Sequence, residues 1–430
     1  MYQKMRFLKY VLIVIPFSFL WMLPHKEVIH KTSFNFTPAL QYADDSARIV
    51  PSNYCKTKNN HYYINDTIDL QGKTWYLPDN ITLCINGGLL KNGAVVGNNT
   101  ALQYKGVIFN RVQVKGTWIV PQIKTSMFAD LSYKNSLKDV FALANPKIKN
   151  KVFVETGNYC LSALKNHDRC LRLPSNMDVT INGTLILAPN SFEEYTMIFI
   201  NGNNITLHGN GSIVGDKQKH LGSRGEWGMG IYIHESNKVK MSDITVKDCW
   251  GDCVYIGGGS KDIYIEKCIL DNGRRQGISV TSAANVYIRN CTISNVGGTS
   301  PQYAIDLEPN AGNVVENVMI YDVKSLNCQG GIMSHGRAKD AKIGLIKVCN
   351  TTIEGAKLCP LYFEKGKNVT IEKCILKNNG TNFMIVCNDI DSVRIENNSI
   401  VTNNKRLLLD KTISVNNFRK RKLKNNVIKN

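Results

Sequence analysis

The sequence predicts an all-β chain folded as a right-handed parallel β-helix, a solenoid, with a short N-terminal capping helix. Three observations carry that expectation: an apolar anchor that recurs at coil spacing from about residue 200 onward, a period-two alternation around each anchor, and Gly/Asn-rich turns with no helical stretch between them. The anchors Ile231, Val254, Ile278, Ile305, Ile332, Leu361 and Ile385 are separated by 23, 24, 27, 27, 29 and 24 residues. A second phrase recurs between them, as in Asn285-Val286-Tyr287-Ile288 and Asn368-Val369-Thr370-Ile371. Strands this short cannot bury two faces alone, so successive units must stack in parallel and close their apolar positions into a tube. The chirality of parallel crossovers favours the right-handed form.

Taken in chain order, Lys4, Arg6 and Lys9 precede an apolar run from Tyr10 to Leu23. That run is short for a membrane span and suits a signal-peptide core. Residues 1–27 therefore read as an export signal, or as an uncleaved anchor, because Pro24, His25 and Lys26 supply no small-residue cleavage site. Residues 28–125 read as a β-rich module, with phrases such as Ile81-Thr82-Leu83-Cys84-Ile85. From Asn135 to Ala144 the apolar spacing at Leu137, Val140, Phe141 and Ala144 predicts a helix capped by Asn135 or Ser136 and ended by Pro146. Its expected place is over the open end of the main solenoid, residues 126–400, where core and strand edges need cover. Residues 401–430, with nine Lys and Arg against Asp410, read as a solvated basic tail.

The formal charge of +19 suits an anionic partner. Export turns that expectation away from nucleic acid and toward a polysaccharide, with any membrane contact confined to the N-terminal anchor, and the chain is expected to be a monomer. Of 13 cysteines, Cys268, Cys291 and Cys374 occupy the same place in a repeated phrase and read as a stack of small buried thiols. No CxxC pair or Cys/His cluster has zinc spacing, so neither a metal nor a cofactor is expected. Asn290, Asn317 and Asn397 fall at turns and suggest an asparagine ladder.

With the anchors facing in, residues one and three positions later face out. Asp306, Glu308, His335 and Glu364 should then form one titratable patch, suited to acid/base chemistry. Trp227 and Trp250, four residues before their anchors, suit sugar stacking or loop packing; Arg274 and Arg275 suit carboxylate binding or neutralisation of Asp252 and Asp306. Gln276 and Asp252 stand two residues before their anchors.

The region from about 160 to 400 resembles the β-helix carbohydrate-active proteins of the pectate-lyase-like superfamily. Polygalacturonase-type hydrolases carry N-T-D-G, G-D-D-C, G-H-G-I-S-I and R-I-K on successive coils. The corresponding places here are Gly228-Met229-Gly230, Gly251-Asp252-Cys253, Gln276-Gly277-Ile278-Ser279-Val280 and Asp306-Leu307-Glu308. One catalytic-type carboxylate, Asp252, is kept; a glutamine replaces the histidine, and acids replace the basic pair. Mannuronan C5-epimerases carry Y-G-F-D-P-H, to which Tyr303-Ala304-Ile305-Asp306-Leu307-Glu308 is similar, with Glu308 in the histidine's place. The resemblance implies an exported (periplasmic, cell-surface or secreted) polysaccharide-processing protein. A glycosidase would use Asp306 and Glu308 with Asp252 near by. A uronate lyase or epimerase would use Arg274 and Arg275 as clamp, His335 or Glu308 as base and Tyr303 as proton carrier. A non-catalytic glycan-binding solenoid is the third reading.

Overall fold

From Asn158 onward most coils contribute three short strands, as in Val254–Gly257, Ser260–Glu266 and Ile269–Asp271, each hydrogen-bonded in parallel to its equivalents in the coils before and after. This is the expected parallel β-helix. A computed structural model of the chain describes residues 48–49, 56–58, 60–336, 338–377, 383–402 and 412–429, all within one unit, Phe36–Asn430. The proposed export signal lies outside the described residues.

The anchor row is continuous. Leu171 pairs with Ile198, and the register then runs through Ile231, Val254, Ile278, Ile305, Ile332, Leu361, Ile385 and Ile413. All these side chains are buried, and each isoleucine so covered contributes about 1.5–3 kcal/mol relative to an exposed one. Third strands form an 11-stranded parallel sheet from Asn158–Leu161 to Val427–Lys429. In the last coils the first and second strands merge, as in Leu361–Glu372 and Ile385–Glu396.

Turn residues explain how so regular a stack bends at each corner. Lys267, Asn290, Asp322, Asn350, Lys373, Asn397 and Asn425 hold one corner in the left-handed region, with φ between 50° and 58°. Asn and Asp tolerate that conformation because their short polar side chains bond locally. Asn425 Nδ2 donates to Asn397 Oδ1 at 3.1 Å in this row. Asn317 belongs to another corner, where it donates to Asn285, which donates to Asp262. The expected single ladder is thus two.

The three thiols share one buried row, as expected, but only Cys268 and Cys291 are neighbours in it; Val323 and Thr351 stand between them and Cys374. Cys268, Cys291 and Cys374 are buried and free, and each Sγ donates to the carbonyl two residues earlier, at 3.3, 3.3 and 3.4 Å.

Two expectations are corrected. The helix is five residues, Leu137–Phe141, starting after Ser136 as expected but stopping short of Ala144, although neither expected cap side chain bonds the helix. It stops there because the next backbone bonds tighten to three-residue turns, Leu143 N–H to Val140 O and Ala144 N–H to Phe141 O. Asn135 adopts φ 60° and brackets Ser162, while the Ser136 hydroxyl donates to Leu131 O at 2.8 Å. Nor does this helix stand at an open end: Gln122–Lys124 pairs in parallel with Asn150–Val154, and Phe109 bridges Phe128, so β-structure continues on its N-terminal side. The basic C-terminal stretch is a further coil instead of a solvated tail. Ile413–Lys424 pairs with Ile385–Glu396, and Val427–Lys429 with Ser399–Val401, because Ile413 and Val415 continue the buried alternation. Its Arg419, Lys420, Arg421, Lys422 and Lys424 are exposed and charge the second half of the strand Ile413–Lys424.

Candidate active site

The outward row beside the anchors reads Phe199, Tyr232, Tyr255, Ser279, Asp306, Met333 and Tyr362, neighbours in register across seven coils. Its first part is aromatic. Tyr232 meets Phe199 edge-on at 5.4 Å and Tyr255 at 4.8 Å. Beside them a cleft of about 220 Å³ is lined by Arg169, Glu194, Thr196, Trp227, Met229, Tyr232 and Tyr255.

The next coils change character. Arg275, only 12% exposed, lies among carboxylates: its Nε is 3.5 Å from Glu226 Oε2, Nη1 3.4 Å from Asp252 Oδ2, and Nη2 3.1 Å from Glu308 Oε2. Ser279 donates to Asp252 Oδ2 at 2.7 Å. Gln276, wholly buried, donates through Nε2 to Asp306 Oδ2 at 2.7 Å and accepts the Tyr303 backbone N–H on Oε1, also at 2.7 Å. That second bond fixes which way the amide points, so Gln276 donates to Asp306 by construction.

Burial sets the protonation of this cluster. Asp252 and Asp306 are both 0% exposed. Loss of water pushes Asp252 up to about 6, against the pull of Arg275 and Ser279. Asp252 Oδ1 is buried with no hydrogen-bond partner. Asp306 is driven well above the usual carboxylate range by burial and by the neighbouring Glu308. Tyr303 is also pushed up by burial.

Asp306 therefore occupies the outward row, as expected, but is covered; the more accessible member of the pair is Glu308, whose side chain is 18% exposed. Both arginines are engaged. Arg275 holds carboxylates, and Arg274 donates Nη1 to Gly225 O at 2.7 Å while its guanidinium lies 3.8 Å from the Trp250 ring centre. Trp250 also stacks on His220 at 3.9 Å, so it packs internally, whereas Trp227 is exposed along the cleft. His335 and Glu364 form their own pair, Nδ1 to Oε2 at 2.8 Å, to which Tyr362 adds a hydroxyl donor at 3.1 Å. The titratable patch thus resolves into an acid cluster on Arg275 and a His–Glu–Tyr group.

Sequence reasoning missed Glu226 and the group behind Trp250. There, buried Asp216 accepts from Tyr195 at 2.5 Å and pairs with His220 Nδ1 at 2.9 Å. Glu226 sits in a loop ahead of its strand, where the period-two rule assigns no face; the only signal was its place beside Trp227. Among the described residues no group of three or more His, Cys, Asp or Glu is arranged to hold a metal ion, and no helix is long and apolar enough to cross a membrane.

Stacked parallel coils define the class, a right-handed parallel β-helix, and residues 229–336 match the family model described as right handed beta helix region. The chain is similar, at 27% identity over 199 residues, to the SPbeta prophage-derived uncharacterized protein YorA of Bacillus subtilis, covering 39% of this chain and 34% of that protein. It is 28% identical over 186 residues to the uncharacterized protein YclG of the same organism, covering 36% and 32%. The chain thus aligns with about a third of the length of these relatives. Among solved structures it is similar to the catalytic unit of a GH87 α-1,3-glucanase from Streptomyces thermodiastaticus, with TM-score 0.41 and 10% identity over 85% of this chain and 61% of that one. The family 28 exopolygalacturonase of Yersinia enterocolitica gives TM-score 0.42 and 12% identity over 72% and 78%.

Proposed function

We propose that the protein is an exported glycoside hydrolase that lays a polysaccharide across the outward row and cleaves it at the Arg275 carboxyl cluster. One observation carries the reading: Glu226, Asp252 and Glu308 share the single guanidinium of Arg275, and Asp306, held by Gln276, adds its carboxyl to the same cluster, with the two aspartates sealed from water. One positive charge cannot sustain four ionised carboxylates in a low-dielectric setting, so the cluster retains at least one proton near neutral pH. A retained proton beside an accessible carboxyl is what general-acid cleavage of a glycosidic bond requires.

Glu308 meets the glycosidic oxygen and protonates it, with Asp306 behind it as the buried proton store. Glu226, at a different nitrogen of the same guanidinium, serves as base or nucleophile toward the anomeric carbon. Gln276 and Ser279 hold the buried acids in place and touch no substrate. Trp227, Tyr232 and Tyr255 offer ring faces and edges to the sugar units upstream.

Elimination or epimerisation fits less well, because the guanidinium groups that would neutralise a uronate are occupied by Glu226, Asp252, Glu308 and the Trp250 ring. The test is a panel of anionic and neutral polysaccharides incubated with purified protein and scored for reducing ends and ultraviolet absorbance. Hydrolysis raises reducing ends alone. Rising absorbance would replace hydrolysis by elimination, and no product from any polymer would leave a binding protein.

A further inference from the structure

The second strands carry an outward row of their own, on a face that the acid cluster does not use. It runs in register through Asp178, Thr206, Lys240, Tyr264, Tyr287, Met319 and Lys347. Tyr264 and Tyr287 stack with ring centres 4.8 Å apart and planes within 8°, which is the coil spacing expressed in aromatic rings. Upstream of Tyr264 lies a groove of about 680 Å³ whose lining includes Lys147, Lys149, Lys238, Lys240 and Tyr264, with Asp178 as its one acid. That volume lies within the roughly 300–1,000 Å³ of ordinary ligand sites.

Charge is unbalanced here. Among the described residues no carboxylate lies within ion-pair distance of Lys147, Lys149 or Lys238, and all three are exposed. Asp178, in the lining, is 2.9 Å from His208 Nε2, and Glu266 takes Lys240 at 3.3 Å as well as Arg289. Four lysines gathered around a concavity that one acid lines leave an excess of positive charge, which raises the local concentration of anions. A stacked pair of half-exposed tyrosines at the end of that concavity adds a platform for a flat ring.

We propose that this groove is a second binding site, remote from the acid cluster, for an acidic polysaccharide whose carboxylate or sulfate groups meet Lys147, Lys149 and Lys238 while a sugar ring lies on Tyr264. The class of occupant rests on the polysaccharide reading given above; the groove itself rests on its own charge and shape. A polymer held here is retained by the solenoid while the other face acts on it, so the site raises residence on long chains and leaves short soluble fragments untouched.

The experiment uses the full chain, with alginate and polygalacturonate as acidic probes, dextran as neutral probe, and single-stranded DNA and anionic lipid vesicles as competing anions. Kd is measured at low and moderate salt for wild type, for Lys147→Gln/Lys149→Gln/Lys238→Gln and for Tyr264→Ala. The proposal expects an acidic polysaccharide to bind, dextran to be ignored, and the lysine variant to weaken binding about tenfold or more with a flatter salt dependence. It expects Tyr264→Ala to weaken binding at both salt concentrations alike. Unchanged affinity in the lysine variant, or DNA or vesicles bound in preference to every polysaccharide, overturns it. Glu308→Gln separates the two proposals: loss of cleavage with binding retained supports both, whereas retained binding by a wild type that cleaves nothing removes the hydrolase and keeps the groove.

Discussion

Two clusters of ionisable side chains stand on neighbouring coils of one face, and they resolve their charge in opposite ways. Around Arg275, three carboxyls meet one guanidinium, a fourth, that of Asp306, is held by Gln276 in the same cluster, and both aspartates are wholly buried. Around His335, one carboxylate meets one imidazole and one hydroxyl, with His335 26% and Glu364 35% exposed. The second arrangement is a half-exposed pair worth little to stability or catalysis. The first costs desolvation that a row of apolar residues would avoid, and such expense concentrates where a proton must be held ready.

The largest expected effect breaks this contrast if it is absent. Glu308→Gln should lower turnover by about 10²–10⁴ on whichever polysaccharide is cleaved, the ordinary contribution of a positioned general acid. Reducing-end assays with the variant's far-ultraviolet spectrum unchanged would check it. Turnover within a few-fold of wild type would make the acid cluster as inert as the His335 group. Arg275→Gln comes next, and its effect falls on stability. It strips the counter-charge from Asp252 and Glu308 together, so denaturant unfolding should show a loss of about 3–5 kcal/mol. A loss below about 1 kcal/mol would mean that the acids are already neutral without the guanidinium.

The same contrast shows what was legible in the sequence. Interior positions repeat, since Ile278, Ile305 and Ile332 face the same environment in successive coils, and a repeated environment leaves a period that can be read. The row shared by Cys268, Cys291 and Cys374 was readable for the same reason. Outward positions do not repeat: Ser279, Asp306 and Met333 share a row and nothing else. Alternation predicted that Asp306 points out, yet it could not show that Asp306 is buried with Gln276 bonded to its carboxyl, because such cover is not part of the period. Trp227 and Trp250 share a sequence offset but part company for the same reason, His220 arriving from a loop to occupy one of them. The C-terminal coil was obscured because its lysines and arginines outnumber the two buried residues, Ile413 and Val415, that carry its alternation.

A smaller effect sharpens the comparison through pH. Asp252 is raised to about 6 in the folded chain from an ordinary 3.8, so the native state holds its proton more tightly than the unfolded state does. Its contribution to stability is full below 3.8 and is lost as pH rises through about 6. Asp252→Asn removes that titration. Urea unfolding of both proteins across this window should show wild type losing ground to the variant as pH rises, then a constant difference above it. The opposite slope, with wild type gaining on the variant toward neutral pH, would show Asp252 acting as an ionised partner of Arg275.

The smallest expected effect belongs to His335. Its Nδ1 faces Glu364 alone, and Glu364 Oε2 receives a second donor from Tyr362, so removing the imidazole leaves the carboxylate one hydrogen bond and access to water. Glutamine at this position keeps a donor of similar reach. His335→Gln should therefore leave turnover within about fivefold of wild type, the scale of an exposed pair, with any change falling on KM if the polymer extends over this coil. A loss of turnover as deep as that of Glu308→Gln, with KM unchanged, would move the proton-handling group one coil onward, because an effect confined to turnover marks an interaction made only in the transition state. The acid cluster on Arg275 would then be structural, and the half-exposed pair would be the chemistry.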